Sequence, residues 1–380
     1  MGCEYQKNCG GCCFRHLTEC EYQKNKISKF KSILNAGLNL PDDVFEEPVF
    51  IADGTRRRAS FAFQYKKNEL VLGFNENKSN LITDTSYCPL LTKKINANLQ
   101  IIRDFLFNLC QIKITKKLKG KKFTQSFISE GDLLVLDAYN GIDIVLETKS
   151  DLELDHKMEI FDFVNSNPDI IRLSYRKDAF AEAEPVAEKL KPIIKIGGYD
   201  VFVAPGMFLQ ASSQGEETLV NLVCKYVGDT SGRIADLFCG IGTFSYPLAK
   251  NKDNKIMAID VNKSLLDGFR MSVNKQMLHN VEIMERNLFK YPLEEADLSD
   301  FDVVVFDPPR AGAISQVKEI ANMSGRGKIK KIVAVSCNPH SFVSDAKVLI
   351  EAGFTLKSIT MVDQFVYSNH LELVALFTTN

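Results

Sequence analysis

Arg233-Ile-Ala-Asp236-Leu-Phe-Cys-Gly240-Ile-Gly242-Thr-Phe244 runs from a short apolar strand into a glycine turn and then a helix. Glycine lets the backbone approach a ligand closely, as at the first turn of nucleotide-binding sheets, and Gly240 is the candidate here. Alone the pattern is weak. It gains weight from the next strand, Ile256-Met-Ala-Ile-Asp260. The carboxylate ending that strand lies about twenty residues past the turn, where such folds hold ribose hydroxyls. A helix N-cap is the plain alternative for Asp260.

Working outward, strand and helix patterns alternate from Gly228 to the C-terminus, as a doubly wound parallel sheet requires. The glycines do not form the three-glycine dinucleotide fingerprint, so an adenosine ligand without pyrophosphate is expected, and S-adenosyl-L-methionine fits. Asn287 follows the Val281–Met284 segment and is a candidate adenine contact. Phe301-Asp-Val-Val-Val-Phe306 is an apolar strand ending in Asp307-Pro-Pro-Arg310, where two prolines fix the backbone and hold the acid at the strand tip. Lys331-Ile-Val-Ala-Val-Ser-Cys337-Asn-Pro339 repeats the arrangement with a thiol. Open α/β sheets bind ligands beyond the carboxyl ends of their strands, so Cys337 faces whatever the fold holds. An inert, space-filling cysteine is the ordinary alternative. Glu372, in His370-Leu-Glu372, precedes the closing apolar strand.

The N-terminal half reads differently. Cys3-x5-Cys9-Gly-Gly-Cys12 places three thiols close together, with Cys88 the best-placed fourth and Cys13 and Cys20 as spares. Four thiolates suit an iron–sulfur cluster or structural zinc; the lone, distant fourth cysteine favours a 4Fe-4S cluster. An amphipathic helix is expected from His16 to about Leu38. From Phe45 to about Ile194 short strands dominate, with helices at Leu91–Cys110 and Leu154–Asn165, predicting a mainly antiparallel middle domain. Expected strands are Arg58–Tyr65, Leu70–Phe74, Ser126–Ser129, Leu133–Tyr139 and Ile142–Glu147. Two basic clusters, Arg56-Arg57-Arg58 and the six lysines of Lys113–Lys122, are candidate phosphate contacts, although most charge runs are simply solvated. The predicted order is thus 1–40 cysteine segment and helix, 41–195 RNA-binding middle domain contributing Cys88, and 196–380 catalytic α/β domain. At 380 residues the chain exceeds one ordinary core, and its net charge of -1 excludes strong non-specific avidity for nucleic acid. Its ten cysteines in a long chain point to metal ligation or catalysis rather than disulfides. No membrane-length apolar run or signal peptide is legible, so a cytoplasmic protein without membrane contact is expected.

Taken together, Cys3-x5-Cys9-Gly-Gly-Cys12-x3-His16-Leu17 with Cys88, Phe208-Leu-Gln210, Asp236-Leu-Phe-Cys-Gly240, Asp307-Pro-Pro-Arg310, Ser336-Cys337-Asn338-Pro339 and His370-Leu-Glu372 resemble the RNA uracil-5 methyltransferase family. The likeness is to its iron–sulfur members that modify bacterial 23S ribosomal RNA, without the N-terminal RNA-binding barrel of some members. It covers nearly the whole chain. The resemblance implies a class I, Rossmann-like S-adenosyl-L-methionine-dependent methyltransferase domain behind the cluster segment and the β-rich middle domain. It also implies cluster ligands Cys3, Cys9, Cys12 and Cys88, and cofactor contacts at Gln210, Phe238, Gly240, Thr243, Asp260, Asn287 and Asp307. Asp307 would act at the catalytic centre too, with Cys337 as nucleophile and Glu372 as base. Three positions depart from the usual pattern: Ser212 and Thr243 stand where asparagine is common, and Asp260 where glutamate is usual. A monomer acting on RNA with no obligate protein partner is expected. Transfer RNA uridine and RNA cytosine-5 methylation are the alternatives, but the cytosine class carries a cysteine directly after its acid-proline motif, where this chain has Pro309-Arg310. A non-catalytic, metal-stabilised RNA-binding protein is the rival from another class.

Overall fold

The structure is a computed structural model that describes residues 2–118, 121–126, 128–325 and 327–379, with residues 114–118 and 121–126 described by backbone alone. It divides into two units, and neither is a single run of sequence. The first comprises Met1–His16, Ala52–Ile194 and Val203–Ser213; the second comprises Leu17–Ile51, Lys195–Phe202 and Gln214–Asn380.

The second unit is built on an eight-stranded sheet. Its order is Val49–Phe50, Thr355–Asp363, Glu372–Thr378, Lys331–Ser336, Val303–Phe306, Arg233–Leu237, Lys255–Asp260 and Val281–Glu285. The strands from Lys331–Ser336 to Val281–Glu285 run parallel, whereas Glu372–Thr378 is antiparallel to both of its neighbours. Parallel strands are covered on both faces and so tolerate no polar alternation. Accordingly, all of Val303–Phe306 and five consecutive residues from Ile332 to Ser336 are buried. Successive strands flank Arg233–Leu237 on opposite sides, which puts the topological switch point, and hence the ligand crevice, at the carboxyl ends of Arg233–Leu237 and Val303–Phe306.

The first unit carries a seven-stranded sheet in the order Glu184–Glu188, Ile170–Arg176, Gly141–Glu147, Glu130–Ala138, Arg58–Lys66, Glu69–Asn75 and Ile82–Asp84. All its pairings are antiparallel except that of Gly141–Glu147 with Ile170–Arg176. Arg58–Lys66 alternates as a half-covered strand should, burying Ala59, Phe61 and Phe63 and exposing Ser60 and Gln64. The helix Lys93–Gln111 lays Ile95, Leu99, Ile102, Leu106 and Leu109 into the same core.

Two expectations require correction. The helix predicted for the cysteine segment is Glu19–Leu38, and it belongs with Val49–Phe50 to the second unit, while Cys3, Cys9 and Cys12 share a unit with Cys88. The 1–40, 41–195 and 196–380 division misses this because Val49 and Phe50 pair with Val362 and Asp363, a partnership no local pattern announces. The strand expected at Ser126–Ser129 is instead Lys121–Ser126, hydrogen-bonded to Lys113–Leu118. The side chains of Lys116 to Lys122 lie outside the described residues.

Candidate active site

Three side chains singled out from sequence leave one edge of the second unit's sheet. Phe306 pairs with Ala334, so Asp307 and Cys337 both emerge at the carboxyl ends of neighbouring parallel strands. Ser336 pairs with Leu373 in the antiparallel strand, so Glu372 arrives where Cys337 departs. The fold thereby converts 35 residues of sequence separation (372 − 337) into adjacency. Asn338 Nδ2 donates to the Arg310 carbonyl at 2.9 Å and Asn338 Oδ1 caps His340 N–H at 3.1 Å, tying the thiol's turn to the Asp307-Pro-Pro-Arg310 turn.

Electrostatics confirm the grouping. The Cys337 thiol is pushed up to about 11 by burial, then by the negative charges of Glu372 and Asp307, with Arg310 acting in the opposite sense. Burial raises Glu372 well above the ordinary range; Asp307 adds to this, while a hydrogen bond from Gln364 and the charge of Arg310 oppose it. Gln364 Nε2 donates to Glu372 Oε1 at 3.1 Å. Asp307 is pushed up to about 7, first by burial and then by Asp236. Asp236 is itself raised to about 7 by burial, against hydrogen bonds from Ser245. Its Oδ2 accepts from Ser245 Oγ at 2.5 Å, and its Oδ1 has no hydrogen-bond partner among the described residues. Arg310 Nη2 lies 3.4 Å from His370 Nδ1.

The glycine turn stands at the switch point. Asp260 Oδ2 accepts from Gly240 N–H at 3.0 Å and Oδ1 from Asn262 N–H at 2.8 Å, so the second strand's carboxylate braces the first strand's turn. The helix N-cap offered as the alternative for Asp260 is Asn262, which accepts from Leu265 N–H. Phe238 takes a left-handed φ of 59° without being glycine, and its ring lies 5.3 Å from that of Phe289. No atom lies within 4 Å of where a Cβ on Gly240 would sit, whereas one on Gly242 would meet the Phe269 ring at 2.2 Å. Gly240 therefore fronts open space and Gly242 serves packing. Thr243 is half-buried beside them. Asn287 uses its Oδ1 to accept from Phe289 and Lys290 N–H, closing the turn that carries Phe289. Gln210 lies in the first unit, where its carbonyl accepts from Arg57 Nε at 3.2 Å and Arg58 stacks over exposed Phe208 at 4.6 Å.

The cysteines of the first unit also gather. Cys12 is pushed up to about 12 by burial; Arg15 opposes this, and Cys88, Cys9 and Cys3 each add to it. Cys9 and Cys88 are raised by burial and then, against backbone N–H donors, by Cys3. Gly10 lets the segment lie against the next strand's end, since a Cβ there would meet the Asn75 carbonyl at 2.8 Å. Among the described residues no group of three or more His, Cys, Asp or Glu side chains is placed to hold a metal ion. Thiols are the donors that either an iron–sulfur cluster or a structural zinc would take.

Sequence reasoning missed Gln364 as the partner of Glu372, and Asp236 as the buried acid behind Asp307. Asp236 sat in the quoted motif, and an acid inside an apolar strand was the available signal.

Comparison with known proteins agrees with this architecture. The family model described as tRNA (Uracil-5-)-methyltransferase matches residues 20–379. An uncharacterized RNA methyltransferase of Agrobacterium fabrum is 35% identical over 97% of this chain and 81% of its own length. The 23S rRNA (uracil(1939)-C(5))-methyltransferase RlmD of Pectobacterium carotovorum is 27% identical over 99% of this chain and 79% of its own. The crystal structure of Pyrococcus abyssi tRNA (uracil-54, C5)-methyltransferase with S-adenosyl-L-homocysteine superposes with a TM-score of 0.72 at 23% identity, covering 97% of this chain and 85% of that one. It shares the mixed α/β, Rossmann-like methyltransferase fold.

Proposed function

The chain belongs to the tRNA (uracil-5-)-methyltransferase family and is an RNA (uracil-5-)-methyltransferase; from that premise we propose that it methylates carbon 5 of one uridine in 23S ribosomal RNA through a covalent bond to Cys337. S-adenosyl-L-methionine supplies the methyl group as a sulfonium, which departs as a neutral thioether. Carbon 5 of uracil is too weak a nucleophile to accept it unaided. The Cys337 thiol gives its proton to water, the resulting thiolate adds to carbon 6, and the ring electron pair passes to carbon 5 and the ring carbonyl as an enolate. Asp307, titrating near neutrality, keeps a population of the acid form that donates a hydrogen bond where the enolate charge develops. After methylation Glu372 removes the carbon-5 proton, the ring double bond re-forms and the carbon–sulfur bond breaks. Burial makes Glu372 a stronger base than an exposed carboxylate once it is ionised. A uridine within folded RNA would have to be flipped out to reach this pocket.

The observation that carries the reading is the juxtaposition of Cys337, Glu372 and Asp307 at one sheet edge, where Asp307 raises the proton affinity of both others and Glu372 that of Cys337. The Pectobacterium relative supports 23S ribosomal RNA as substrate. Gly240, Thr243, Phe238, Asp260, Asn287 and Asp307 hold the donor, and the open space over Gly240 fits that role. Cys3, Cys9, Cys12 and Cys88 hold a structural 4Fe-4S cluster, supported by neighbouring thiols within one unit raising Cys9, Cys12 and Cys88. The test is to map 5-methyluridine in RNA from cells with and without the gene. Loss at one 23S position is expected; loss confined to transfer RNA overturns the substrate assignment.

A further inference from the structure

The helix Glu19–Leu38 buries Tyr22, Lys26, Phe30 and Leu34 along one stripe, and the lysine in that stripe is only 3% exposed. Its Nζ donates to Asp363 Oδ1 at 3.0 Å, a fully buried carboxylate, and to the His370 carbonyl. Tyr22 donates its hydroxyl to Asp363 Oδ2 and accepts from Tyr367 N–H at 2.8 Å. Lys29, one turn further on, reaches Asn369 Oδ1 at 3.3 Å. Positions 22, 26 and 29 share a helix face, and their targets lie in one short segment, 363–370. That segment begins next to Gln364, which holds Glu372, and ends two residues before Glu372 itself. Tyr367 within it adopts a left-handed φ of 59°, a conformation that neighbouring structure must enforce.

A buried lysine–aspartate pair is a poor device for stability, because packed apolar residues of similar volume serve as well or better. What this one fixes is direction, through two main-chain atoms of the segment. Resting on the proposed reading of Glu372 as base, we propose that Tyr22, Lys26 and Lys29 form a positioning clamp that sets the Glu372 carboxylate for removal of the carbon-5 proton. The clamp acts on the last chemical step rather than on sulfur addition, since its contacts run to the segment that leads into Glu372.

The experiment compares Tyr22→Phe, which strands no charge, and the paired change Lys26→Met with Asp363→Leu, which removes both charges together, in the full chain with a 23S fragment and labelled donor. Thermal melts establish that each is folded, and Tyr22→Phe carries the test if the paired change is not. Turnover is expected to fall about tenfold or more while the rate of forming the RNA-linked species stays within about twofold, so that the linked species accumulates on denaturing gels. Unchanged turnover, or linkage and turnover falling in parallel, overturns the clamp. Glu372→Gln run alongside separates the two levels. If it accumulates the linked species and the clamp variants do not, only this inference fails; if it accumulates none, the assignment of Glu372 as base has failed first.

Discussion

The two sulfur sites of this chain differ in what surrounds an equally buried thiol. Around Cys12 the other acidic groups are thiols, Cys88, Cys9 and Cys3; around Cys337 they are the carboxylates of Glu372 and Asp307. In both places burial is the first cause of a raised thiol, and like charge is the second. The remedies differ. Under the proposed reading a resident positive centre would let gathered thiols ionise together, whereas one thiol among acids stays protonated until it loses its proton to attack the substrate.

The comparison breaks first at Cys337. Cys337→Ala is expected to lower methyl transfer by at least about 10⁴-fold, since the covalent route has no substitute nucleophile; robust transfer of labelled methyl by the alanine variant would remove sulfur from the mechanism. Glu372→Gln comes next, with turnover reduced on the order of 10²- to 10⁴-fold and an RNA-linked protein band that survives denaturation. Absence of that band would leave Glu372 a merely structural acid. Cys12→Ser or Cys88→Ser tests the other site. Iron measured per chain is expected to drop to background, while alkylation of Cys337 proceeds at its usual rate; retention of iron would dismiss the four-thiol assignment.

Acidity sharpens the contrast further. With its thiol near 11, Cys337 holds little thiolate at neutral pH, so iodoacetamide should modify it about ten times faster for each unit of pH between 7 and 9. A rate flat across that range would mean the carboxylates do not govern the sulfur. The smallest effect concerns Asp236. Its folded value near 7 exceeds the unfolded one, so the stability favoured by its neutral form is complete below about pH 4 and lost as pH climbs through 7. Asp236→Asn should therefore raise the unfolding free energy at pH 8 by on the order of 2 kcal/mol and leave it nearly unchanged at pH 4. Equal effects at both pH values would refute the linkage.

Why some of this was legible and some not follows from the range of each interaction. Val303-Val-Val-Phe306 announces a parallel strand within four residues, and prolines after Asp307 announce where it stops. The placement of Asp307, Cys337 and Glu372 at strand ends was readable because each sits in its own short motif. Phe238 illustrates the opposite case, since a left-handed backbone at phenylalanine runs against the local rule that assigns such turns to glycine. Nothing local marks Lys26 among the lysines of its helix; its partner Asp363 is 337 residues away, and only the fold brings the two together. The grouping of Glu19–Leu38 and Val49–Phe50 with the second unit was hidden for the same reason.

That last arrangement bears on the order in which the chain acquires structure. The first unit needs nothing beyond Ser213, so it can finish while translation is still under way. The second cannot: Tyr22 waits for Asp363, 341 positions later, and the edge strand Val49–Phe50 waits for the same carboxy-terminal neighbour. Long-range pairings of this kind are slow to form, because the intervening chain must be ordered before they are rewarded. A nascent chain halted before Thr355 would therefore carry a finished cysteine-bearing unit and an unfinished sheet, with the helix that steadies Glu372 left idle until the last residues emerge.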